Sequence, residues 1–438
     1  MTKKIKIKTT SSQSSNKNIR YMALFNVCFL YHKSIKEKRE IWNMIHERNT
    51  KQANVWVQKY IPLFIKDNNH KDHGKNKYIH HTQQYKWKHK GKYYKVQFKS
   101  RIGKGGYGEI WESKSIFVDE SLFVQDLIVK KIRMEYFMDA LRELVIHNEL
   151  YCYMHEHVYH NTKKTKYIPE MKCIFQTDKN VCIGMPRMDG TLYEYIDGIL
   201  YLKTHTEVMR MLMDCLIQCC EMLIFFQERY RFMHRDFHAG NIMYRIKNVE
   251  KTNDNESKTE IRDEKHTHTN THRYEWFMID FGMTCIETKN TRIYPPTESK
   301  HYNMIHGFNA SQDMRLLFLS LYGYFMKRLP THFISLCREL FVYAFRYLPN
   351  SNAYNQGITD TYDEGFFYRA YGEVVHIYDP LFDPALLITI LKQPTETLRR
   401  KRIREIKQTM KNSNNKMNTY GDDTSESALK ESFHLFSP

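Results

Sequence analysis

Several features that would define a protein class are scarce or missing in this sequence. Glycine and proline number only 17 and 11 of 438 residues, which excludes collagen-like and low-complexity designs. No two of the nine cysteines form a Cys-x-x-Cys pair, and an odd, scattered set in a long chain predicts reduced thiols and an intracellular, cytoplasmic protein. The apolar run at 21–31 is too short to cross a bilayer and lacks a small-residue cleavage pattern, so we expect no signal peptide and no membrane span.

The chain has a large positive charge that is concentrated at its beginning. The net charge is +18, yet residues 1–95 carry 22 Lys and Arg against 5 Asp and Glu. A basic segment of this kind suits an acidic protein partner, nucleic acid or anionic lipid, and it also suits a solvated extension; charge does not choose among them. A hydrophobic fraction of 42% with 14% aromatics predicts a folded core behind this segment.

Patterning divides the chain into a core with polar ends. Residues 1–92 read as a basic, partly disordered N-terminal extension with some helix around 35–57, and residues 395–438 read as a polar C-terminal tail. Between them, alternating apolar residues predict strands, and apolar residues at every third or fourth position predict helices. We expect strands within 93–113 and at 127–132, helices at 139–157, 208–230, 313–326 and 384–392, and a polar insertion at 246–273.

A glycine cluster joins the first two predicted strands. Its pattern is GxGxxG, and glycines of this kind let backbone N–H groups approach phosphate oxygens without side-chain obstruction. The cluster alone is equally compatible with a glycine-rich hairpin that binds nothing. It consists of Gly103, Lys104, Gly105, Gly106, Tyr107 and Gly108.

A lysine follows an apolar triplet in the next strand, in the sequence Leu-Ile-Val-Lys at 127–130. Lys131 is adjacent, and alternation along a strand places the two lysines on opposite faces, so only one of them can reach a bound phosphate. We select Lys130 because it directly follows the triplet.

Two further motifs make the chain resemble the protein kinase superfamily. The first is His234-Arg235-Asp236 with Asn241 five residues after the aspartate, and the second is Asp280-Phe281-Gly282. Together with the glycine cluster and Lys130, they stand in the order that the family requires. The resemblance covers residues 93–394, about two thirds of the chain, and the style is similar to serine/threonine kinases of large DNA viruses.

The resemblance implies a fold and an activity. The fold would be α+β and bilobal, with a β-rich N-lobe at 93–184, an α-helical C-lobe at 190–394 and ATP in the cleft. The activity would be ATP- and Mg²⁺-dependent transfer of the γ-phosphoryl group to a protein hydroxyl, most simply Ser or Thr. The location would be intracellular, in a host cell or a virion.

The resemblance also implies roles for individual residues. Asp236 would accept or orient the proton of the attacking hydroxyl, with Arg235 and His234 shaping the loop around it. Asn241 and Asp280 would bind Mg²⁺, because this ion prefers oxygen ligands. The implied nucleotide-binding residues are Ile102, Gly103, Lys104, Gly105, Gly106, Tyr107, Gly108, Ile110, Lys130 and Met185.

Lys130 needs a carboxylate partner on the helix that follows it. Glu149 and Glu143 compete for this role, and their separation of six residues places them on different sides of a helix. We favour Glu149. Asp313 occupies the position of the helix aspartate that steadies the catalytic loop in the family, and we treat it as structural.

Some residues depart from the family pattern. His238 stands where serine/threonine kinases commonly have lysine, and a protonated imidazole would supply part of the missing charge. The same D-x-H-x-G-N pattern resembles aminoglycoside- and choline-kinase-type enzymes, which keeps a small-molecule acceptor open, and a pseudokinase scaffold is a further alternative. No Ala-Pro-Glu follows Gly282. The candidate modification sites are Thr284, Thr288, Thr291 and Tyr294. A candidate metal cluster in the polar insertion consists of His266, His268 and His272.

Overall fold

The structure is a computed structural model of the whole chain. It describes residues 35–61, 63, 65–66, 83–89, 92–105, 107–118, 123–160, 166–247, 273–288, 291–293, 308–325, 328–345 and 378–419. The first 34 residues of the predicted N-terminal extension and nearly all of the polar insertion at 246–273 lie outside these ranges. The described residues combine helices with antiparallel strands, so the predicted α+β class is confirmed.

The helices are α1 Ile35–His46, α2 Thr50–Tyr60, α3 Phe137–His160, α4 Leu192–Leu202, α5 His205–Tyr230, α6 Gln312–Phe325, α7 Thr331–Phe345, α8 Pro384–Leu391 and α9 Glu396–Thr419. The strands are β1 Ile65–Lys66, β2 Gln83–His89, β3 Lys92–Lys104, β4 Gly108–Val118, β5 Phe123–Arg133, β6 Cys173–Gln176, β7 Asn180–Pro186, β8 Gly190–Thr191, β9 Ile242–Lys247, β10 Arg273–Met278, β11 Ile286–Thr288 and β12 Thr291–Ile293.

The chain divides into two compact units. The first comprises Met1–Leu192 with Gly240–Pro295, and the second comprises Tyr193–Ala239 with Pro296–Pro438. These units differ from the predicted lobes, because residues 240–295 join the first unit instead of the helical one. The reason is strand pairing: β9 pairs with both β8 and β10, which returns this part of the chain to the first unit.

The first unit is built on a seven-stranded antiparallel sheet with the order β1-β2-β3-β4-β5-β7-β6. Alternate residues of these strands point to one face and form an apolar core, as the period of two predicts. The segment just before β1 contacts the opposite edge of the sheet, because Leu63 bridges Gln176 at the end of β6 and the Gln176 side chain donates a 2.8 Å hydrogen bond to the carbonyl of Ile61. The core residues are Tyr85, Val96, Phe98, Leu127, Val129, Phe175 and Cys182.

The sheet begins earlier in the chain than the predicted domain boundary at residue 93. Strand β2 pairs along its whole length with β3, from Gln83 opposite Phe98 to His89 opposite Lys92. The sequence of β2, QQYKWKH, is mostly polar, and its buried Tyr85 is the clearest sign of a strand face. A single buried aromatic residue among Lys, Gln and His is too weak a pattern to predict a strand.

Two helices of the N-terminal segment also belong to the first unit. Helix α1 buries Ile41, Met44 and Ile45 and lies against α3 and β12. Helix α2 begins at Thr50, where the Asn49 side chain accepts a hydrogen bond from the N–H of Gln52, an N-cap interaction. The predicted helix around 35–57 is therefore two helices, and this segment is packed instead of merely solvated.

The second unit is helical. Helix α5 starts with a capping box, in which the Thr204 side chain accepts from the N–H of Glu207 and the Glu207 carboxylate accepts from the N–H of Thr204. Its buried apolar residues recur every three or four positions, as predicted, and α8 packs on it. The helix ends at Tyr230, before Arg231 with its left-handed φ of 44°.

The C-terminal stretch read as a polar tail instead contains helix α9. This 24-residue helix is highly charged, yet Ile403 and Ile406 are buried three residues apart on one of its faces. Arg400 pairs with Glu339 of α7 at 2.7 Å. A narrow apolar stripe with salt bridges beside it is sufficient to dock such a helix. The overall composition of the segment is polar and does not reveal this stripe.

Candidate active site

The centre of the candidate site in the first unit is the ammonium group of Lys130. This residue lies on β5, and its Nζ is 2.8 Å from both carboxylate oxygens of Glu143 on α3 and 2.7 Å from Oδ1 of Asp280 after β10. Burial by itself would lower the pKa of Lys130, but the two carboxylates outweigh it and raise the pKa above its usual range. Lys130 is therefore a fixed, charged group.

Lys131 points to the other face of β5, as alternation predicts. Its ammonium group lies 4.5 Å from the ring centroid of Phe98 and 4.9 Å from that of Trp111, so it is held by cation–π contacts. The choice of Lys130 over Lys131 thus agrees with the contacts each lysine makes.

The preference for Glu149 as the partner of Lys130 is wrong, because Glu143 forms the ion pair. The two residues are six positions apart on α3, which turns Glu149 about 120° around the helix from Glu143. Which side of α3 faces β5 is set by tertiary packing. The sequence offered two carboxylates and no local signal to choose between them.

Asp280 directly follows β10 and has a left-handed backbone, with φ 63° and ψ 71°. Such a conformation is costly for a residue other than glycine and persists only where the surroundings impose it. Here the imposing groups are the short 3₁₀ turn Phe281–Met283, which follows at once, and the ion pair with Lys130. The side chain of Asp280 remains 41% exposed, so its carboxylate is also open to solvent.

Asn241 lies at the start of β9, next to Asp280. The two chain segments are joined where β9 and β10 pair, since the N–H of Ile279 donates a 3.1 Å hydrogen bond to the carbonyl of Asn241. An amide oxygen and a carboxylate from neighbouring strand ends suit a hard divalent cation. No group of three or more His, Cys, Asp or Glu side chains that could hold a metal occurs within the ranges that the structure describes.

The glycine cluster forms the predicted tight turn between two strands. Lys104 pairs with Glu109 at its base, and the N–H of Gly105 donates a 2.9 Å hydrogen bond to the carbonyl of Gly108. A β-carbon at Gly108 would collide with the carbonyl of Lys131, whereas one at Gly105 would meet open space. Gly108 is thus required for strand packing, while the space beside Gly105 is open.

The other predicted nucleotide-binding residues lie in or beside this turn, except for Met185, which lies farther away on β7. Ile102 and Tyr107 are exposed by more than half, Ile110 lies opposite Lys130 in the β4–β5 register, and Met185 lies opposite Ile128 in the β5–β7 register. Gly103 and Lys104 end strand β3. Gly106 lies outside the described residues.

In the second unit, the loop that contains the His-Arg-Asp motif is anchored to α6. The carboxylate of Asp313 accepts hydrogen bonds from the N–H of His234 at 2.7 Å and from the N–H of Arg235 at 2.8 Å. Burial raises the pKa of Asp313, although these two donors oppose the shift. Arg235 has a left-handed φ of 66°, so the anchored loop is also strained immediately before Asp236.

Asp236 and His238 lie together on this loop. His238 Nε2 is 3.7 Å from Oδ1 of Asp236, and both side chains are a little under 40% exposed. The N–H of Ala239 donates a 3.3 Å hydrogen bond to the hydroxyl of Ser320 on α6, which fixes the end of the loop. Asp236 therefore has a solvent-facing carboxylate on a backbone held at both ends.

His147 is a site residue that the sequence did not reveal. It follows Glu143 by one turn of α3, is buried, and stands edge-on to Phe281 with ring centroids 5.1 Å apart. Its Nε2 lies 2.7 Å from the carbonyl of Pro169, and burial lowers its pKa to about 4, so the neutral ring donates this hydrogen bond. A lone histidine in a helix has no sequence signal for such a contact.

The candidate modification sites lie partly within and partly outside the described residues. Thr284 is buried, Thr288 and Thr291 lie in the β11–β12 hairpin, and Tyr294 is outside the described residues. The His266, His268 and His272 cluster is outside them too. The eight cysteines that the structure describes are all free.

Comparison of the chain with models of protein families and with the curated proteins finds no match to either. No helix among the described residues is both long enough and apolar enough to cross a membrane.

Proposed function

We propose that this chain is an ATP- and Mg²⁺-dependent protein kinase that transfers the γ-phosphoryl group to a Ser or Thr hydroxyl. The proposal includes a bilobal kinase fold with a β-rich lobe and a helical lobe. The observation that carries it is the contact of Lys130 with both Glu143 and Asp280, which brings together charges from three separate elements.

Lys130 has the properties that phosphate binding requires. Phosphoryl transfer spreads negative charge over the phosphate oxygens, so a positioned cation stabilises the reacting state. Glu143 holds the ammonium group from α3 and keeps it charged. In the proposed enzyme, Lys130 binds the α- and β-phosphates of ATP, and the open backbone at Gly105 lets the glycine turn cover them.

Asn241 and Asp280 are the residues that would hold Mg²⁺. Their oxygen donors fit this cation, and the hydrogen bond between Ile279 and Asn241 keeps the two positions adjacent. When bound, Mg²⁺ would neutralise part of the charge on the nucleotide phosphates. Asp280 also contacts Lys130, so one carboxylate links the lysine to the proposed metal position.

Asp236 is the proposed base for the acceptor hydroxyl. Its carboxylate is solvent-facing, and the backbone around it is anchored to Asp313. As the acceptor oxygen bonds to the γ-phosphorus and the bond to the ADP oxygen breaks, Asp236 accepts or orients the hydroxyl proton. His238, 3.7 Å away, would supply positive charge beside the transferring group when protonated.

A second candidate function is transfer to a small-molecule alcohol. Histidine at position 238 favours it, because D-x-H-x-G-N resembles aminoglycoside- and choline-kinase-type enzymes. Arg235 and the complete Asp280-Phe281-Gly282 favour the protein kinase instead. A pseudokinase scaffold is disfavoured because Lys130, Asp236, Asn241 and Asp280 are all available.

An autophosphorylation assay with phosphoamino-acid analysis tests the proposal. The full chain is incubated with γ-labelled ATP and Mg²⁺, with and without a generic protein acceptor. Asp236→Asn, which keeps the size of the side chain and removes its basicity, should lower transfer by roughly 100-fold or more. Asp126→Asn is the matched control, since Asp126 is exposed and pairs with Lys99 at the surface.

The expected product is phosphoserine or phosphothreonine, formed by the wild type and by Asp126→Asn at similar rates. Transfer that survives in Asp236→Asn would remove this residue from the reaction. Transfer to small alcohols alone would assign the chain to the second candidate function, and no transfer to any acceptor would leave only a scaffold.

A further inference from the structure

A group of aromatic side chains stands beside the loop of Asp236 in the second unit. Tyr193 on α4 and Tyr324 on α6 have ring centroids 4.7 Å apart, and Phe325 lies under both, at 5.9 Å from Tyr193 and 4.7 Å from Tyr324. We call Tyr193, Tyr324 and Phe325 the aromatic shelf. Phe325 is fully buried, whereas Tyr324 is 57% exposed, so the shelf has a packed base and an open edge.

His238 connects the shelf to the proposed catalytic aspartate. The rings of Tyr193 and His238 are stacked with an interplanar angle of 28° and centroids 6.5 Å apart. His238 also lies close to Asp236, with 3.7 Å between Nε2 of the ring and Oδ1 of the carboxylate. A chain of neighbouring side chains therefore links the carboxylate of Asp236 through His238 and Tyr193 to Tyr324.

The shelf is held in place from behind. Arg328, just after α6, pairs with Asp197 of α4 at 2.7 Å, and its guanidinium group lies 5.2 Å from the ring centroid of Phe325. This ion pair ties together the two helices that supply the tyrosines. A preorganised aromatic surface binds a partner ring with little further loss of conformational freedom.

We propose that the aromatic shelf recognises an aromatic or large apolar side chain of a protein substrate, close in sequence to its acceptor hydroxyl. The proposal rests on the proposed kinase function and adds the substrate class. Scattered exposed aromatic residues are ordinary on protein surfaces, but this group adjoins the residue that faces the acceptor. An extended peptide advances about 3.3 Å per residue, so a ring roughly two to four residues from the hydroxyl would reach Tyr324.

The test is a set of synthetic peptides with one central Ser in an alanine- and glycine-based sequence. Each peptide carries a single Phe at one position on either side of the Ser, and the parent peptide carries Ala there. Steady-state KM and kcat are measured with the full wild-type chain, Tyr193→Ala, Tyr324→Ala and Tyr201→Ala. Tyr201 is 88% exposed at the end of α4 and has no part in the shelf, so it is the matched control.

In the wild type, at least one Phe position should lower KM roughly three- to tenfold relative to the Ala parent, the range expected for one aromatic contact. That ratio should fall to about one in Tyr193→Ala and Tyr324→Ala and should persist in Tyr201→Ala. Melting temperatures of the three variants separate loss of the contact from loss of folding, and Phe in place of either tyrosine should restore the ratio.

Three results would overturn the proposal. The first is a wild-type KM that does not depend on Phe at any position, and the second is a dependence that survives in both shelf variants. The third is transfer to a small alcohol that weakens in the same two variants, which would assign the shelf to a small-molecule acceptor. Phosphorylation of the Ala parent peptide tests the kinase function by itself, so failure of the shelf and failure of the enzyme are distinguishable.

Discussion

At Lys130, residues far apart in the chain supply charges to one point. The lysine comes from β5, Glu143 from α3 and Asp280 from the turn after β10, with all three contacts between 2.7 and 2.8 Å. Glu143 is buried, so its carboxylate depends on Lys130 for charge compensation. Lys130 in turn is oriented by Glu143 toward Asp280. Removing Lys130 would leave two neighbouring carboxylates without their counter-charge.

This geometry predicts different effects for the two glutamates of α3. Glu143→Gln keeps the side-chain shape and removes the charge that orients Lys130, so the rate of phosphoryl transfer should fall roughly 10- to 100-fold. Glu149→Gln is the matched control and should stay within about twofold of the wild type, because Glu149 lies on a different side of α3. The effects of the two substitutions are measured as initial rates of phosphoryl transfer at saturating and at limiting ATP. Equal losses in the two variants, or a larger loss in Glu149→Gln, would contradict the assignment.

The residues of the site differ in how much of their role could be predicted. Lys130, Asp236, Asn241 and Asp280 stand in motifs whose spacing along the chain is short and specific. Glu143 and His147 reach the site only because of how α3 is oriented about its own axis, and this orientation depends on what packs against the helix. Gly108 is an intermediate case, because the motif marks it and only the structure shows the carbonyl of Lys131 behind it.

At the scale of elements, helix α1 is the least expected part of the first unit. It lies against α3, the helix that presents Glu143, and against β12, which follows the Asp280 turn in the chain. Its contact surface is apolar, with Ile41, Met44 and Ile45 each no more than 5% exposed. The helix therefore supports α3, the element that brings Glu143 to Lys130.

Removing part of that apolar surface should destabilise the first unit. Ile45→Ala deletes three carbons from a buried side chain and should cost about 2–4 kcal/mol of unfolding free energy. Asn43→Ala changes an exposed position of the same helix and should cost less than about 0.5 kcal/mol. Urea unfolding monitored by tryptophan fluorescence measures the unfolding free energy of both variants. If Ile45→Ala unfolds at the same urea concentration as Asn43→Ala, α1 is not a packed part of the fold.

The elements that could be predicted are those in which apolar residues recur at a regular spacing within the element itself. Helix α5 has an uninterrupted apolar stripe, and β3 and β4 alternate around the glycine turn, so all three follow from the pattern. Strand β2 and helix α9 are mostly polar and are stabilised by what they pair with or pack on. Their contacts are non-local, which is why local patterning missed them.

At the scale of the molecule, each unit buries charged groups. The second unit buries Arg315 and Asp379, and Ser311 lies between them: its hydroxyl accepts from Arg315 at 3.1 Å and from the N–H of Asp379 at 3.0 Å. The Asp379 side chain also accepts from the N–H of Leu381 at 3.0 Å. Burial raises the pKa of Asp379 to about 6, although Arg315 opposes the shift.

The raised pKa of Asp379 makes a prediction about stability and pH. Between the ordinary value of 3.8 and the folded value of about 6, the folded chain binds more protons at this site than the unfolded chain. The contribution of Asp379 to the unfolding free energy is therefore greatest below pH 4 and declines as the pH rises through 6, by on the order of 2–3 kcal/mol.

Asp379→Asn should remove this decline, because an amide does not titrate in the range. Denaturant unfolding of the wild type and the variant at a series of pH values from 4 to 7 gives the slope of the unfolding free energy against pH for each protein. The wild type should lose stability relative to Asp379→Asn as the pH rises. Parallel pH profiles for the two proteins would show that Asp379 does not titrate with a raised pKa.

The division of the molecule was the hardest feature to predict. Motif order along the chain suggested a boundary near residue 190 and a single C-terminal lobe at 190–394 that includes the polar insertion at 246–273. The structure returns residues 240–295 to the first unit through the pairing of β9 with β8 and β10. Pairing between strands separated by an insertion leaves no mark in local composition, whereas the α+β class is what the resemblance to the kinase superfamily implied.

The central claim is that Asp280, held beside Lys130 and Asn241, serves Mg²⁺-dependent phosphoryl transfer. The most direct measurement is the initial rate of γ-phosphoryl transfer to a generic protein acceptor as a function of Mg²⁺ concentration, for the wild type, Asp280→Asn and the surface control Asp126→Asn. The account predicts that the wild type and Asp126→Asn require Mg²⁺ equally and that Asp280→Asn is slower by roughly 100-fold or more at any Mg²⁺ concentration. Transfer by Asp280→Asn at the wild-type rate and with the same Mg²⁺ dependence would contradict it.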